Sequence, residues 1–563
     1  MRRVVATVGV LFAGTVAFSA EGDDPRWFPD RPVAWFEHDD ANVPSRPAGT
    51  HFDDLDTTLI LRDGLANEVD RVLALENRRP AQDVNALDEV PCSTWFCPRN
   101  HLRPMTPEEV AAGPTAVAPV LPLTIVKGKD QGAATGFQVA DARGRKFMLK
   151  FDPDGHFGLA TGGEMIGYRI FHAAGYNVPG AFEADVARQD LKVDPRATFK
   201  LYRVEKRPLT AARVDSQLAG VARLPDGRIR AVAVPWVGGQ ILGGFDLLGR
   251  RADDPNDRVP HEDRRSLRAS WVLFDWLSVL DPSAINTLDS YVEENGRHFI
   301  RHYHFDFGCS FGSATIRVQG LHQEGEYPIE VGRSLRALVS LGLYHRPFED
   351  RRDEWQAMVA QHPSIGYFPA ETFDPDSYRG NRKLPTHVRM TERDAYWGAK
   401  VVTSFSDQQL AAVVATARLF PQDAAYIEHA LRVRRDIIGR RYLRATAAVE
   451  NPVVTDDGAQ VCFQDLAIAR GYAAPGEVRY LVAVGDGHGK NLSAFQQAAT
   501  GDRACLPFAG DAVGSGYRVV RVAAQLAGAA GGAQASTTKA ARIHLRWRAG
   551  EHRFVVVGLE RDE

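Results

Sequence analysis

DPSAINTLD at residues 281–289 and HYHFDFG at residues 302–308 decide how this chain is read. The first places an Asp and, five positions on, an Asn. The second ends a strand-like run in Asp-Phe-Gly. A carboxylate that can orient a hydroxyl, an amide oxygen and a second carboxylate suited to a hard cation form the base-and-metal layout of phosphoryl transfer. Asp281 is the candidate to orient the hydroxyl or accept its proton. Asn286 and Asp306 are the candidate metal ligands, Asp306 for magnesium bridging nucleotide phosphates. Gly308 would let the backbone turn away. Asp289 is a further carboxylate, a helper behind the site or a helix cap.

Phosphoryl transfer also needs a lysine on the nucleotide phosphates and an anchor for it. From Leu121 the sequence LPLTIVKGKDQGAATGFQVADARGRKFMLKFDP reads as three strands. In KFMLKF the alternation puts Lys146, Met148 and Lys150 on one face and Phe147, Leu149 and Phe151 on the other. Lys150 is the candidate phosphate lysine, with Lys146 as its substitute. Thr161–Ala174 reads as a helix stopped by Gly175, with Pro179 beyond. Its Glu164 can reach back to the lysine, although a glutamate there also suits the positive helix start. Gly128, Gly132 and Gly136 could bring the first hairpin close to phosphates. No Gly-Lys-Ser/Thr follows them, so this is not a Walker A loop. Three strands, a helix and more strands, including the Pro-Asp-Gly hairpin of GVARLPDGRIRAVAVPWV, are the order of a small nucleotide-binding lobe.

After GGQILGG the chain is mainly helical. Arg264–Leu280 is strongly apolar, with Leu273, Trp276, Leu277 and Leu280 at helical spacing, and it delivers the chain to Asp281. Helices follow at about 331–345, 351–361, 392–402, 406–419 and 421–443. From Asn451 strand-like runs return, broken by the Ala/Gly/Ser/Thr-rich 525–540 stretch. The expected organisation is α+β. It has a signal peptide at 1–20, an N-terminal wrapping extension at 21–120 and a nucleotide-binding small lobe at 121–240. A helical catalytic lobe at 241–446 and a β-rich accessory domain at 447–563 complete it. In the extension a helix is expected at about Asp56–Leu75, with Trp27, Trp35 and Trp95 as pins.

A chain of 563 residues is too long for one core. A hydrophobic content of 44% and a charged content of 25% describe a folded protein rather than a disordered one. With a net charge of -3 and no long basic stripe, a nucleic-acid partner is not favoured. Met1-Arg2-Arg3, the apolar run Val4 to Phe18 and the small residues up to Ala20 read as an export signal, and no later segment has transmembrane character. Five cysteines fit an oxidising compartment. Cys92 and Cys97 are close enough to close a small loop, Cys462 and Cys505 could pair near the C-terminus, and Cys309 is then left over. Connectivity stays open at this level. The C-x-x-x-x-C spacing lacks the matching second pair of a zinc site.

These residues resemble the protein-kinase-like superfamily. The nearer likeness is to its atypical branches, the phosphatidylinositol kinases and HipA-like kinases, which also join an Asp-x-x-x-x-Asn loop to a metal-binding Asp. GYRIFHAAGYNVPG looks like the small lobe of those branches. The resemblance covers about Leu121 to Leu443. It implies a two-lobed fold with ATP and magnesium in the cleft, Lys150 paired with Glu164, Asp281 as base, and Asn286 and Asp306 on the metal. The acceptor is unspecified: protein, lipid or small molecule. Val279-Leu280-Asp281 stands where kinases have His-Arg-Asp, Pro282 where lipid kinases carry a basic residue, and no Ala-Pro-Glu follows Gly308. Other readings therefore stay open: a catalytically inactive kinase-like binding module, nucleotidyl transfer, or a metal-dependent hydrolase using His302, His304 and Asp306 on one strand face.

Overall fold

Alternating residues of three short strands build the first layer. In this computed structural model β1 (Leu123–Gly128), β2 (Gly136–Ala140) and β3 (Lys146–Phe151) form an antiparallel meander. Leu123, Ile125, Phe137, Val139, Phe147, Leu149 and Phe151 are buried in one cluster. The meander continues into a seven-stranded sheet of order β4-β7-β3-β2-β1-β5-β6. Its other members are β4 (Phe182–Glu183), β5 (Leu191–Leu201), β6 (Glu205–Pro208) and β7 (Ala231–Pro235).

The described residues are 27–50, 79–114, 117–129, 134–201, 205–323, 325–327, 331–341, 343–508, 516–527 and 536–563. The expected signal at 1–20, the helix expected at about Asp56–Leu75 and Gly132 lie outside them.

Helix α1 runs from Thr161 to Ala174, as its pattern predicts. Its own N-cap, Ala160, has no capping side chain. Asp152, just past β3, supplies one. Its carboxylate accepts from the backbone nitrogens of Gly158 at 2.7 Å, Ala160 at 2.9 Å and Thr161 at 2.8 Å. An acceptor on orphan amide donors at a helix start typically contributes about 1 kcal/mol. Here it also fixes α1 against the end of β3.

The helical part is built on α2 (Arg265–Trp276), α3 (Glu392–Val402), α4 (Asp407–Ala415) and α5 (Pro421–Tyr442). The apolar run after α2 does not continue as helix to Leu280: Leu277 caps it and Ser278 takes a positive φ of 49°. Beside these helices lies a three-stranded sheet of β8 (Gln240–Gly243), β9 (Thr287–Glu294) and β10 (Arg297–His304), in the order β10-β9-β8. The Asp-Phe-Gly follows the end of β10. The chain is thus an α+β protein with a sheet-rich part and a helical part.

Of the expected pins of the extension, Trp95 is buried and stacks on His302 with ring centroids 3.4 Å apart. Trp27 and Trp35 are exposed, and the buried anchor is Phe28, packed with Tyr517 and Val557. Two disulfides are present, Cys92–Cys97 and Cys462–Cys505, leaving Cys309 as a thiol bonded to the Thr315 hydroxyl. Among the described residues no helix is long and apolar enough to cross a membrane.

The described residues of 447–563 form two sheets, of three and six strands. Most of their buried apolar side chains belong to the same core cluster as those of α1, α2, α3 and α5. A buried ion network crosses the same boundary. Asp88 meets Arg265 at 2.6 Å, Arg393 at 2.7 Å and Arg561 at 2.5 Å. Glu450 meets Lys400 at 2.6 Å and Arg561 at 2.7 Å. The extension, the helices and the C-terminal sheets therefore share one interior.

Candidate active site

Lys150 rises from β3 on the face opposite the Phe147–Phe151 core. It is 6% exposed, and its ammonium lies 2.5 Å from Glu164 Oε1 and 3.0 Å from Asp306 Oδ1. Burial opposes the charge, but the two carboxylates outweigh it and hold the lysine above its usual range. Glu164 is fully buried; burial, with the charge of Asp306, pushes its proton affinity up to about 7 against the pull of Lys150. Asp306 stays well below the usual carboxylate range: Lys150 and Lys129 overcome the cost of burial. Two carboxylates thus face one ammonium, with Asp306 carrying the firmer charge.

The approach of the Asp-Phe-Gly segment depends on missing side chains in α1. A Cβ on Gly163 would come within 2.5 Å of the Phe307 carbonyl oxygen, and one on Gly167 within 2.6 Å of the Phe307 side chain. With both positions bare, Phe307 sinks against Tyr168 and Phe171. The Tyr168 hydroxyl accepts from the Asp306 amide at 3.2 Å, and Glu164 Oε1 accepts from the Gly308 amide at 3.2 Å. Asp306 itself has a φ of 66°, rare for a residue with a Cβ.

Asp281 approaches from the other side. The backbone of its loop is tied to the chain on both sides of Asp306, Leu280 N donating to Cys309 O at 2.9 Å and Phe305 N to Asn286 O at 3.1 Å. Asn286 Nδ2 donates to the Asp281 carbonyl at 2.8 Å and to Oδ2 at 3.2 Å. Asn381 Nδ2 donates to Oδ1 at 2.8 Å. Burial raises the proton affinity of Asp281, while the Asn381 bond and the charge of Arg382 oppose that. Asp281, Asn286 and Asp306 line one small hollow.

Asp289 is neither in that hollow nor at a helix end. It sits in β9, fully buried, with His302 Nδ1 at 2.7 Å and Arg251 at 3.1 Å. It ties β9 to β10 and to the 251 loop. His304 sits among the rings of Phe171, Tyr176, Phe245 and Phe274. Among the described residues no three His, Cys, Asp or Glu side chains are grouped to hold a metal ion; His304 lines the same small hollow as Asp306, while His302 is engaged with Asp289. At Gly128 an added Cβ would meet Phe199 Cβ at 2.7 Å, so close packing against β5 already requires a glycine there.

Four side chains that brace these residues or act on their charge were not singled out from sequence: Asp152, Asn381, Arg230 and Lys129. Arg230 is 1% exposed and donates to Thr161 Oγ1 at 2.8 Å and to the carbonyls of Ala417 and Arg418, bridging α1 to the segment after α4. Lys129 follows β1. Its stem lies over Gly136, whose added Cβ would fall 3.3 Å from Lys129 Cδ, and Gly136 pairs with Lys150 across the sheet. Burial lowers the proton affinity of Lys129, and Asp306 opposes that. A doublet of lysines flanking one glycine was the available sequence signal.

No family model matches the chain, and no curated protein does. Among solved structures it is similar to the crystal structure of a Helicobacter pylori proinflammatory kinase, CtkA. The identity is 12%, with 56% of this chain and 94% of that chain covered and a TM-score of 0.27. An overlap of that size says nothing of what this chain binds or does.

Proposed function

We propose that the chain is an ATP- and magnesium-dependent phosphotransferase acting on a hydroxyl acceptor in an oxidising, exported compartment. The observation that carries this is the pairing of Lys150 with Glu164 and Asp306, the last of which lines one hollow with Asp281 and Asn286. Two disulfides support the compartment.

In this reading Lys150, held by Glu164, binds the phosphate oxygens of ATP and stays charged as negative charge shifts toward the leaving group. Asp281, held by Asn381 and Asn286, orients the acceptor hydroxyl and takes its proton. The acceptor oxygen bonds to the γ-phosphorus, the bond from that phosphorus to the bridging oxygen breaks, and ADP leaves with the electron pair. The donor set suits magnesium, a hard cation that favours oxygen ligands and keeps only one or two protein carboxylates. Asp306 offers a carboxylate, and Asn286, whose amide nitrogen is committed to Asp281, offers its amide oxygen. Bound at those two residues, magnesium would neutralise charge on the transferred phosphoryl group. The engagement of His302 with Asp289 and of His304 with four rings lends the hydrolase reading less support.

The test is calorimetry with a non-hydrolysable ATP analogue, with and without magnesium, followed by mass spectrometry of acceptors incubated with ATP. Magnesium-dependent binding and an added phosphate are expected. An added AMP would assign nucleotidyl transfer, binding without any product would assign an inactive module, and no binding by Asp306-intact protein would overturn the proposal.

A further inference from the structure

The helix Val331–Val339 is mounted with its apolar side outward. Leu335, Leu338 and Val339 stand at i, i+3 and i+4 and so share one of its faces. They are 56%, 72% and 76% exposed. The opposite face carries Arg333, Ala337 and Ser340, and these are the half-buried positions. Arg333 fastens that face to the protein. Its guanidinium donates to Gly325 O at 3.0 Å and meets Glu326 at 3.1 Å. Past the helix end the exposed aliphatic side chains continue in Leu341 and Leu343, 92% and 88% exposed. An amphipathic helix on a protein surface ordinarily buries its apolar stripe and presents its polar one. Here the order is reversed, and an outward apolar patch of this kind marks a binding surface.

The charge around the patch selects its occupant. The chain as a whole has a net charge of -3. From Val331 to Phe348 the sequence VGRSLRALVSLGLYHRPF holds three arginines and no Asp or Glu. Glu326, outside that stretch, is shared by Arg333 at 3.1 Å and Arg346 at 2.7 Å, so one carboxylate faces two of the three. The acids that follow, Glu349 and Asp350, are engaged with His345 at 3.0 and 2.7 Å. Arg336, three positions before Val339, is exposed at the flank of the apolar face. Outward aliphatic side chains bordered by arginine suit the interface of an anionic bilayer, the apolar face at the acyl boundary and the guanidinium among the headgroups. A second copy of the chain fits less well, because a two-fold contact would set the acid-free stretch against itself. The described apolar side chains exposed in the stretch are all aliphatic, whereas protein–protein hot spots favour Trp, Tyr and Arg over Leu and Val. We infer that the helix Val331–Val339, with Leu341 and Leu343 after it, docks the protein onto an anionic membrane surface without crossing it. No residue of the hollow around Asp281 takes part, so this docking is independent of the phosphotransferase reading.

The experiment is co-sedimentation of the full chain, without nucleotide, with vesicles of phosphatidylcholine and of phosphatidylcholine mixed with phosphatidylglycerol. Binding to the mixed, anionic vesicles is expected. Arg336→Gln should weaken it about fivefold. The double variant Leu338→Ser, Leu341→Ser should weaken it tenfold or more. Both leucines stand largely in solvent, so the thermal melt of that variant should match wild type. Failure of wild type to sediment with the anionic vesicles, or undiminished sedimentation of the double variant, would overturn the docking. So would a dimer in light scattering that the double variant abolishes while wild type ignores the vesicles, which would assign the patch to a second copy. Wild type alone supplies a further reading that no misfolded variant can confuse. A phospholipid with a photoactivatable group in its acyl chain should label residues within 335–343, located by peptide mass spectrometry. Labelling confined to other parts of the chain would overturn the docking.

Discussion

Asn381 donates its amide hydrogen to Asp281 Oδ1 at 2.8 Å across a sequence separation of 100 residues. That bond orients the proposed base and lowers its proton affinity, against burial, which raises it. Asn381→Ala removes the donor, so the proton affinity of Asp281 should rise further. The acidic limb of the pH profile of magnesium-dependent ATP turnover should move to higher pH. The rate at neutral pH should fall by about 10- to 100-fold, the scale on which misplacing a reacting group acts. A reduced rate with an unmoved acidic limb would show that Asn381 serves only the fold.

Lys150 and Asp306 should separate stability from chemistry. Lys150→Met leaves Glu164 and Asp306 facing each other without the ammonium that bridges them, and only the charge of Lys129 still acts on Asp306. Breaking a buried pair in that way costs about 3–5 kcal/mol, so a lowered melting temperature should accompany lost turnover. Asp306→Asn leaves Lys150 its shorter partner, Glu164. Its melting temperature should stay near wild type or rise while magnesium-dependent turnover falls by orders of magnitude. Thermal melts beside turnover assays decide this, and wild-type turnover in Asp306→Asn would remove the site.

Much of this arrangement was legible in the chain because its carriers are local. The alternation in KFMLKF fixed which face Lys150 takes. Thr161–Ala174 has helical spacing and a glycine stop, and the Asp and Asn of the 281–289 stretch lie within one loop. What escaped depends on contacts that local pattern does not mark. Asn381 and Asp152 act by what they touch across loops, and neither stands in a motif. Asp289 read as a helper behind the site or a helix cap beside DPSAIN, and LDSYVEE alternates and continues as β9. The change of composition near Asn451 says nothing of the buried partners of Arg561, which include Asp88, far back in the extension.

Gly163 and Gly167 should prove intolerant for a reason opposite to helix propensity. Alanine normally stabilises a helix interior by about 1 kcal/mol over glycine. Here an added Cβ at Gly167 falls 2.6 Å from the Phe307 side chain, inside any real carbon contact. Gly167→Ala should lower stability by about 1–3 kcal/mol, as overpacking does. It should also weaken nucleotide binding by displacing Asp306. Phe307→Leu in the same chain should restore part of both. A double-mutant cycle in urea measures the coupling, and additive effects would mean that the glycine is not there for Phe307.

Truncation after residue 446 should not yield a folded two-lobed remainder. It would remove Arg561 from Asp88 and Glu450 from Lys400, and expose the core faces of α3 and α5. Loss of the cooperative melt and of native circular dichroism is expected. A truncated chain that melts cooperatively and binds nucleotide would show residues 447–563 to be accessory.

Acid should weaken the fold well above the carboxylate range, through buried histidines. Burial holds His304, inside its box of rings, down at about 4, and His172 down at about 3 with help from Arg99. An unfolded histidine protonates near 6.5. Between those values the unfolded chain binds protons that the folded chain refuses. The stabilising contribution is therefore present above pH 6.5 and is lost as pH falls toward 4 for His304 and toward 3 for His172. Each tenfold difference in proton affinity between the two states is worth about 1.4 kcal/mol, so His304 accounts for roughly 3 kcal/mol. Glu164, raised to about 7, works the other way over the upper part of the same window, because it takes up its proton in the folded state first. The net slope is read by urea melts at stepped pH. His304→Phe replaces the ring with one that suits its four aromatic neighbours and cannot protonate. That variant should lose roughly 3 kcal/mol less than wild type between pH 6.5 and 4, and an unchanged pH slope would show that His304 is not the acid-sensitive group.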